Sequence, residues 1–301
     1  MTILLLGANG QLGQELRRAL APLGSMVATT RSGALPGGTA CEVADFDQPA
    51  SLAALLDRVQ PTVVVNAAAY TAVDRAEDDR DAAFRANAEA PDVLARWCAQ
   101  AGVPLVHYST DYVFDGQGAR PYREDDATAP LGVYGASKLA GEEAIRAAGG
   151  RHLIFRTAWV YASHSANFLR TMLRVGAERD VLRVVADQVG TPTPAALIAD
   201  VTAQALQHDG TLSGTWHLTA KGETSWHGFA EAIFAEAVAT GVLSQGPKVE
   251  AITTAEYPTP AKRPAWSVLD NSRLQQDFGI ALPRWQDGLK RVMQEIAPAP
   301  H

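Results

Sequence analysis

A chain of 301 residues, 47% hydrophobic and 20% charged, can bury a large core and has the composition of a soluble globular protein of one large domain or two smaller ones. Its formal net charge of −7 is the wrong sign for nucleic acid or an anionic membrane surface, both of which call for a broad basic patch, and no apolar run approaches the roughly 20 residues of a membrane span. No nucleic-acid and no membrane partner is therefore expected, while a small anionic substrate needs only a few local arginines.

The first apolar run, residues 3–6, has no basic segment before it and no cleavage-like site after it, which reads as a strand and not as a signal peptide. Cys41 and Cys98 lie in a strand-like and a helix-like stretch without metal-ligand spacing, as buried thiols of a reducing compartment do. A cytoplasmic protein is expected. Strands are predicted at residues 2–6, 26–30, 41–44, 62–66, 104–109 and 152–157, separated by helical patterns at 10–20, 50–59, 82–101 and 133–148. Such alternation is the mark of βαβ units, so the fold class is α/β with a doubly wound, mostly parallel Rossmann-type sheet.

Beyond Trp159 the rhythm changes. A helix is predicted at 165–175, a strand at 181–185, a proline-bearing turn at 190–194, a helix at 195–208, a strand at 214–218 and a helix at 225–240. The segment 257–264, YPTPAKRP, carries three prolines and cannot stay regular for long, and short helices at 271–278 and 285–296 close the chain. Two units follow: residues 1–160, and a smaller α/β lobe over 161–301 with segments near 181–218 returning to the first.

Gly7, Gly10 and Gly13, three residues apart, follow the first strand and open a helix. Glycines there allow a tight turn and let the backbone of Gly7-Ala8-Asn9-Gly10-Gln11-Leu12-Gly13 approach a pyrophosphate, whose charge meets the free amides and dipole of the helix. This makes residues 1–160 a dinucleotide-binding domain, although the spacing departs from GxGxxG. After the second strand the run Thr29-Thr30-Arg31-Ser32 offers no carboxylate for a ribose hydroxyl, and Arg31 suits a 2′-phosphate, so NADPH is favoured over NADH. Arg31 equally suits a solvated loop. Asp45 and Phe46 read as flanking the adenine, or Asp45 as capping the next helix. Ala67, Ala68 and Ala69 are small, as a backbone lying on a cofactor requires, or as any close helix–sheet crossing requires.

Tyr134 and Lys138 stand at i and i+4 of a predicted helix, on one face. A nearby ammonium favours phenolate and is expected to draw the tyrosine pKa down from about 10, making a plausible proton donor. Thr110, at the end of the fifth strand, is placed to donate a hydroxyl hydrogen bond to a carbonyl oxygen beyond the carboxyl ends of the strands.

Through Gly7/Gly10/Gly13, Thr110 and Tyr134-xxx-Lys138 the chain resembles the extended short-chain dehydrogenase/reductases. Within them it resembles the dTDP-4-dehydrorhamnose reductase family through residues 65–77 (VNAAAYTAVDRAE), 106–116 (VHYSTDYVFDG), 130–142 (PLGVYGASKLAGE), 152–161 (HLIFRTAWVY), 187–193 (DQVGTPT) and 257–264 (YPTPAKRP). The resemblance implies NAD(P)H-dependent reduction of the C4 ketone of a dTDP-4-dehydro-6-deoxyhexose, with Thr110, Tyr134 and Lys138 catalytic. Lys138 would hold the nicotinamide ribose. It also implies a sugar pocket containing Thr110, Asp111, Tyr112 and Trp159, with Arg263 and Lys262 facing the nucleotide and Asn167, Phe168 and Gln188 lining the second lobe. Trp159 equally suits ordinary core, and the two loop cations equally suit solvent. A homodimer is compatible with the resemblance. Some members dimerise through a metal held by glutamates, but Ala196 stands where one is expected, so no metal is assigned. Two other readings remain open: a binding subunit that keeps the fold without chemistry, and a nucleotide-sugar reductase or epimerase for another hexose.

Overall fold

The computed structural model describes residues 1–208 and 210–297. The chain runs β1 (Thr2–Leu6), α1 (Gln11–Leu20), β2 (Ser25–Thr30), β3 (Glu42–Val43), α2 (Ser51–Val59), β4 (Val63–Asn66), α3 (Val73–Ala76), α4 (Arg80–Phe84), α5 (Ala90–Ala101), β5 (Leu105–Thr110), α6 (Val133–Ala147) and β6 (His152–Thr157). There follow β7 (Val160–Tyr161), α7 (Phe168–Gly176), β8 (Val181–Val185), β9 (Val189–Gly190), β10 (Thr193–Pro194), α8 (Ala195–Gln207), β11 (Gly214–His217), β12 (Thr224–Ser225), α9 (Trp226–Ala239), β13 (Lys248–Ile252), α10 (Ser272–Phe278) and α11 (Trp285–Ile296).

Seven strands form one sheet in the order β11-β6-β5-β4-β1-β2-β3, and every pairing within it is parallel. Strands covered on both faces must be apolar on both, and β1 accordingly sends Ile3 and Leu5 into one core while Leu4 and Leu6 enter the other. Leu16 and Leu20 of α1 and Ile198 and Val201 of α8 cover the first face. Leu52 and Leu56 of α2, Leu94 of α5 and Ile145 of α6 cover the second. This is the expected doubly wound α/β sheet. No helix among the described residues is long and apolar enough to cross a membrane.

The later segments divide between the seven-stranded sheet and elements outside it. Helix α8 packs on α1, and β11 extends the sheet beside β6. By contrast β8 pairs in parallel with β13 outside the sheet, over Ala230 and Phe234 of α9. A separate core of Tyr161, Leu169, Phe229, Ile233, Trp285 and Met293 joins α7, α9 and α11.

Two local departures from the sequence reading have physical causes. The predicted continuous helix 82–101 is interrupted by a π-helical turn, Arg85–Glu89. Pro91 cannot donate a backbone hydrogen bond and its ring crowds the carbonyl four residues back; the wider turn frees that Asn87 carbonyl, which abuts Gly141 of α6. Strand β13 was not anticipated, because its pairing partner lies far away in the chain. Cys98 is buried in α5, and burial pushes its thiol up to about 12. Cys41 precedes β3 and is only partly covered, because β3 is two residues long.

Candidate active site

The strand order reverses between β4 and β1, which opens a crevice beyond their carboxyl ends. Gly7 leaves β1 with φ at 78°, a left-handed conformation that glycine adopts without a steric penalty. A Cβ there would strike the backbone of Ala67 and Ala68, and one on Gly13 would land on the Gly7 carbonyl oxygen. The glycines and the small residues after β4 thus belong to one close packing. Gly10 is the N-cap of α1, with no capping side chain and no acidic residue in the first turn, an end suited to a diphosphate. Asn9 is exposed, Leu12 packs into the sheet core, and Gln11 reaches β7 and the start of α7, donating to Val160 O at 3.0 Å and accepting from Asn167 Nδ2 at 2.8 Å.

The residues expected at the adenosine end are less uniform. The Arg31 side chain is 78% exposed, 3.5 Å from Asp47, and free to meet an anion. Asp45 accepts from the Asp47 amide at 3.0 Å, so it closes the turn after β3. Phe46 is 8% exposed within the core of Leu4, Leu6 and Leu52, which leaves little of its ring for a base. Ala69 is exposed at the crevice rim.

Tyr134 and Lys138 both lie on α6. Glu77 Oε1 accepts the Val133 amide at 2.9 Å, which fixes the helix start with a carboxylate at the positive end of the dipole. Lys138 is 2% exposed. Its Nζ donates to Tyr108 O at 2.6 Å and sits 3.2 Å from His107 Nε2. Burial pushes it down to about 8, against the pull of Glu142. Burial also works to raise the Glu142 carboxyl, but Arg156, which grips it through Nε at 2.9 Å and Nη2 at 2.7 Å, holds it below the usual carboxylate range.

For Tyr134 the expected lowering is reversed. Burial and the Asp111 carboxylate push the phenol up to about 12, while its hydrogen bond with the Thr110 hydroxyl works the other way. The cause is geometric: Lys138 is drawn towards β5, so the charge bearing on the phenol is an anion. Thr110 Oγ1 donates to Asp111 Oδ1 at 2.9 Å. Burial raises Asp111 to about 6, with hydrogen bonds from Ser267 and Thr110 opposing.

Tyr112 meets the Tyr134 ring edge-on at 5.6 Å, and its phenol is raised by burial and Asp111 while Arg263 lowers it. Arg263 Nη2 donates to Asp74 Oδ2 at 2.7 Å, which ties the proline-rich segment to α3. Lys262 beside it is exposed. Trp159 holds φ at 47°, in the left-handed region, and stacks on Trp226 at 3.5 Å. Both Trp159 and Ser267 abut Gly190. Phe168 packs on Trp226, and Gln188 donates to Thr254 Oγ1 at 3.0 Å.

The RmlD substrate binding domain model matches residues 1–297. A Burkholderia thailandensis dTDP-4-dehydrorhamnose reductase is 49% identical over 305 residues, covering 98% of this chain and 99% of the relative. One from Shigella flexneri is 46% identical over 299 residues, covering 98% of each. The chain belongs to the dTDP-4-dehydrorhamnose reductase family. A solved structure of the Bacillus anthracis dTDP-4-dehydrorhamnose reductase in complex with NADP is 34% identical, covers 98% of this chain and 99% of that chain, and superposes with a TM-score of 0.88.

Within this reductase-family fold, several polar residues that sequence reasoning gave no role stand against the candidates. Asp74 orients Arg263, Ser267 reaches Asp111, and Asn66 and His107, paired in register on β4 and β5, stand behind Lys138. Asp74 and Asn66 sit inside one of the resembling stretches, but their partners are distant in sequence, so no local pattern reveals the pairings. A cavity of about 430 Å³, lined by Glu124, Asp126, Arg146, Arg156 and Arg273 among others, involves none of the candidates. Its arginines are matched by carboxylates at Glu142 and Asp277.

Proposed function

We propose that this chain reduces the C4 ketone of dTDP-4-dehydro-6-deoxy-L-mannose (dTDP-4-dehydrorhamnose) with NADPH, giving dTDP-L-rhamnose, with Tyr134 as proton donor. The observation that carries the reading is the convergence of Tyr134, Thr110, Asp111, Tyr112 and Arg263 beyond the carboxyl edge of the sheet, in a chain aligned along 98% of its length with reductases of that name.

The residues present fit a dinucleotide: the glycine turn Gly7–Gly13 leaves no Cβ between backbone and ligand, and the open end of α1 offers amides to a diphosphate. Asn9, Gln11 and Leu12 shape that turn, Ala67, Ala68 and Ala69 form the wall, and Arg31 offers a cation to a 2′-phosphate. Reduced nicotinamide supplies the hydride when bound. Tyr134, protonated at neutral pH because its phenol is raised to about 12, gives its proton to the alkoxide as charge develops on the substrate oxygen. Thr110 steadies that oxygen. Lys138 holds the ribose and, as an ammonium turned towards Tyr134, stabilises the phenolate left behind. Tyr112 and Trp159 wall the sugar, and Arg263, braced by Asp74, pairs with the diphosphate.

The test is a coupled assay. dTDP-4-dehydro-6-deoxyglucose and a 3,5-epimerase are supplied, and loss of reduced-nicotinamide absorbance is followed with NADPH and NADH in parallel. Removing a general acid lowers turnover by roughly 10² to 10⁴, so Tyr134→Phe should retain NADPH binding and lose that factor in kcat. Consumption of neither cofactor would point to a binding subunit, and unchanged turnover in Tyr134→Phe would remove its assignment.

A further inference from the structure

Behind the candidate acid lies a chain of buried polar groups whose protons can be counted. Asn66, His107 and Lys138 are 1%, 0% and 2% exposed, so water does not supply missing partners. The Ala68 amide donates to Asn66 Oδ1 at 3.1 Å, which fixes the amide orientation and turns Asn66 Nδ2, a donor only, to His107 Nδ1 at 3.1 Å. Nδ1 must therefore accept, and a neutral imidazole that accepts at Nδ1 carries its proton on Nε2. That proton faces Lys138 Nζ at 3.2 Å. An ammonium has three donors and no lone pair, so it would oppose Nε2–H; an amine would accept from it while still donating to Tyr108 O at 2.6 Å.

We propose that His107 is a positioning residue for Lys138: its Nε2–H holds the side chain against β5 whenever the lysine is the uncharged amine, and the lysine leaves for Tyr134 when it takes up a proton from solvent. No bond other than N–H is made or broken. The free amine has a partner on each side, Nε2–H and the Tyr108 carbonyl, whereas the ammonium keeps the carbonyl and loses the imidazole. Other groups bearing on Lys138 do not change this count. Glu142, one turn further along α6, favours the ammonium, but it is itself neutralised by Arg156 of β6 and Arg146 of α6. On β5, burial by itself holds His107 well below its ordinary range, as a neutral ring requires, and any charge on Lys138 would press it the same way. The destination at Tyr134 rests on the reductase reading; the parked amine does not.

The wild-type protein contains its own reference. His217, also 0% exposed, faces the Tyr122 carbonyl through Nδ1 at 3.0 Å and so must carry its proton there, and burial pushes it down to about 3. Two-bond ¹H–¹⁵N spectra of the full chain without cofactor, recorded from pH 5 to 8 and assigned with His107→Gln and His217→Gln controls, should show neither of these two histidines titrating, His107 as the Nε2–H and His217 as the Nδ1–H tautomer. Two of the Nδ1–H type, or a titrating His107, would overturn the proposal. Asn66→Asp replaces the donor by an acceptor and should reverse the tautomer of one histidine alone. It should also raise the proton affinity of Lys138, read from its ¹⁵Nζ shift, at least tenfold. An unchanged tautomer or lysine titration in a folded variant would equally refute it. Because these signals belong to the free protein, they can fail while NADPH consumption succeeds, or succeed while it fails.

Discussion

Replacing Lys138 by methionine should abolish turnover and yet change stability in a way that depends on pH. Lys138 is lowered from 10.5 to about 8 by burial. At 1.36 kcal/mol per unit this corresponds to about 3 kcal/mol, which the folded protein forgoes wherever the side chain is charged in both states. The sign follows from the proton count. Between about 8 and 10.5 the unfolded chain holds a proton that the folded chain has released, so wild-type stability rises with pH across that window and is level, with the full cost, below it. Methionine carries no such cost but forfeits the hydrogen bonds to Tyr108 and His107, about 1 kcal/mol each. Lys138→Met should therefore be about 1 kcal/mol more stable than wild type at pH 7, and about 2 kcal/mol less stable above pH 10.5. Urea unfolding followed by tryptophan fluorescence at pH 7, 8.5 and 10.5 measures the crossing, and the difference cancels the titration of every other group. A stability difference that stays constant across that range would refute the reasoning.

Two further perturbations examine other parts of the site. Gly13→Ala would set a Cβ on the Gly7 carbonyl oxygen; overpacking of this kind costs about 1–3 kcal/mol, so we expect a lower melting temperature and at least tenfold weaker NADPH binding by fluorescence titration, and unaltered binding would separate the turn from the cofactor. Arg263→Ala removes a guanidinium held by Asp74 at 2.7 Å. Charge-assisted hydrogen bonds contribute roughly 1.5–3 kcal/mol, so KM for the sugar nucleotide should rise about 10- to 100-fold with kcat little changed, and a selective loss of kcat would move Arg263 from binding to chemistry.

The sheet was legible because its rule is local. Runs such as the apolar residues of β1 and β4 state that both faces are covered, and their alternation with helical patterns states that the pairing is parallel. The glycine turn was legible for the same reason, since strand, turn and helix are consecutive. The π-helical turn at Arg85–Glu89 and strand β13 were not, because the first answers a helix packed across from it and the second a strand over sixty residues away. At the site, the stretches of resemblance contain Ala67–Ala69, Thr110–Tyr112, Tyr134, Lys138, Trp159 and Arg263, whereas the residues from Gly7 to Gly13, Arg31, Asp45 and Phe46 come from the order of strand, turn and helix; of these Phe46, read as a base contact, is occupied in the core.

By itself the sequence determined the α/β class, the dinucleotide turn and the shared helical face of Tyr134 and Lys138, all of which follow from spacing within one segment. Tertiary structure decided what those side chains are electrically. A pKa depends on what lies within a few ångströms from any direction, and here burial, Asp111 and the buried His107 raise the tyrosine and hold the lysine to β5. Spacing made the pair neighbours; the fold behind them set where their protons sit.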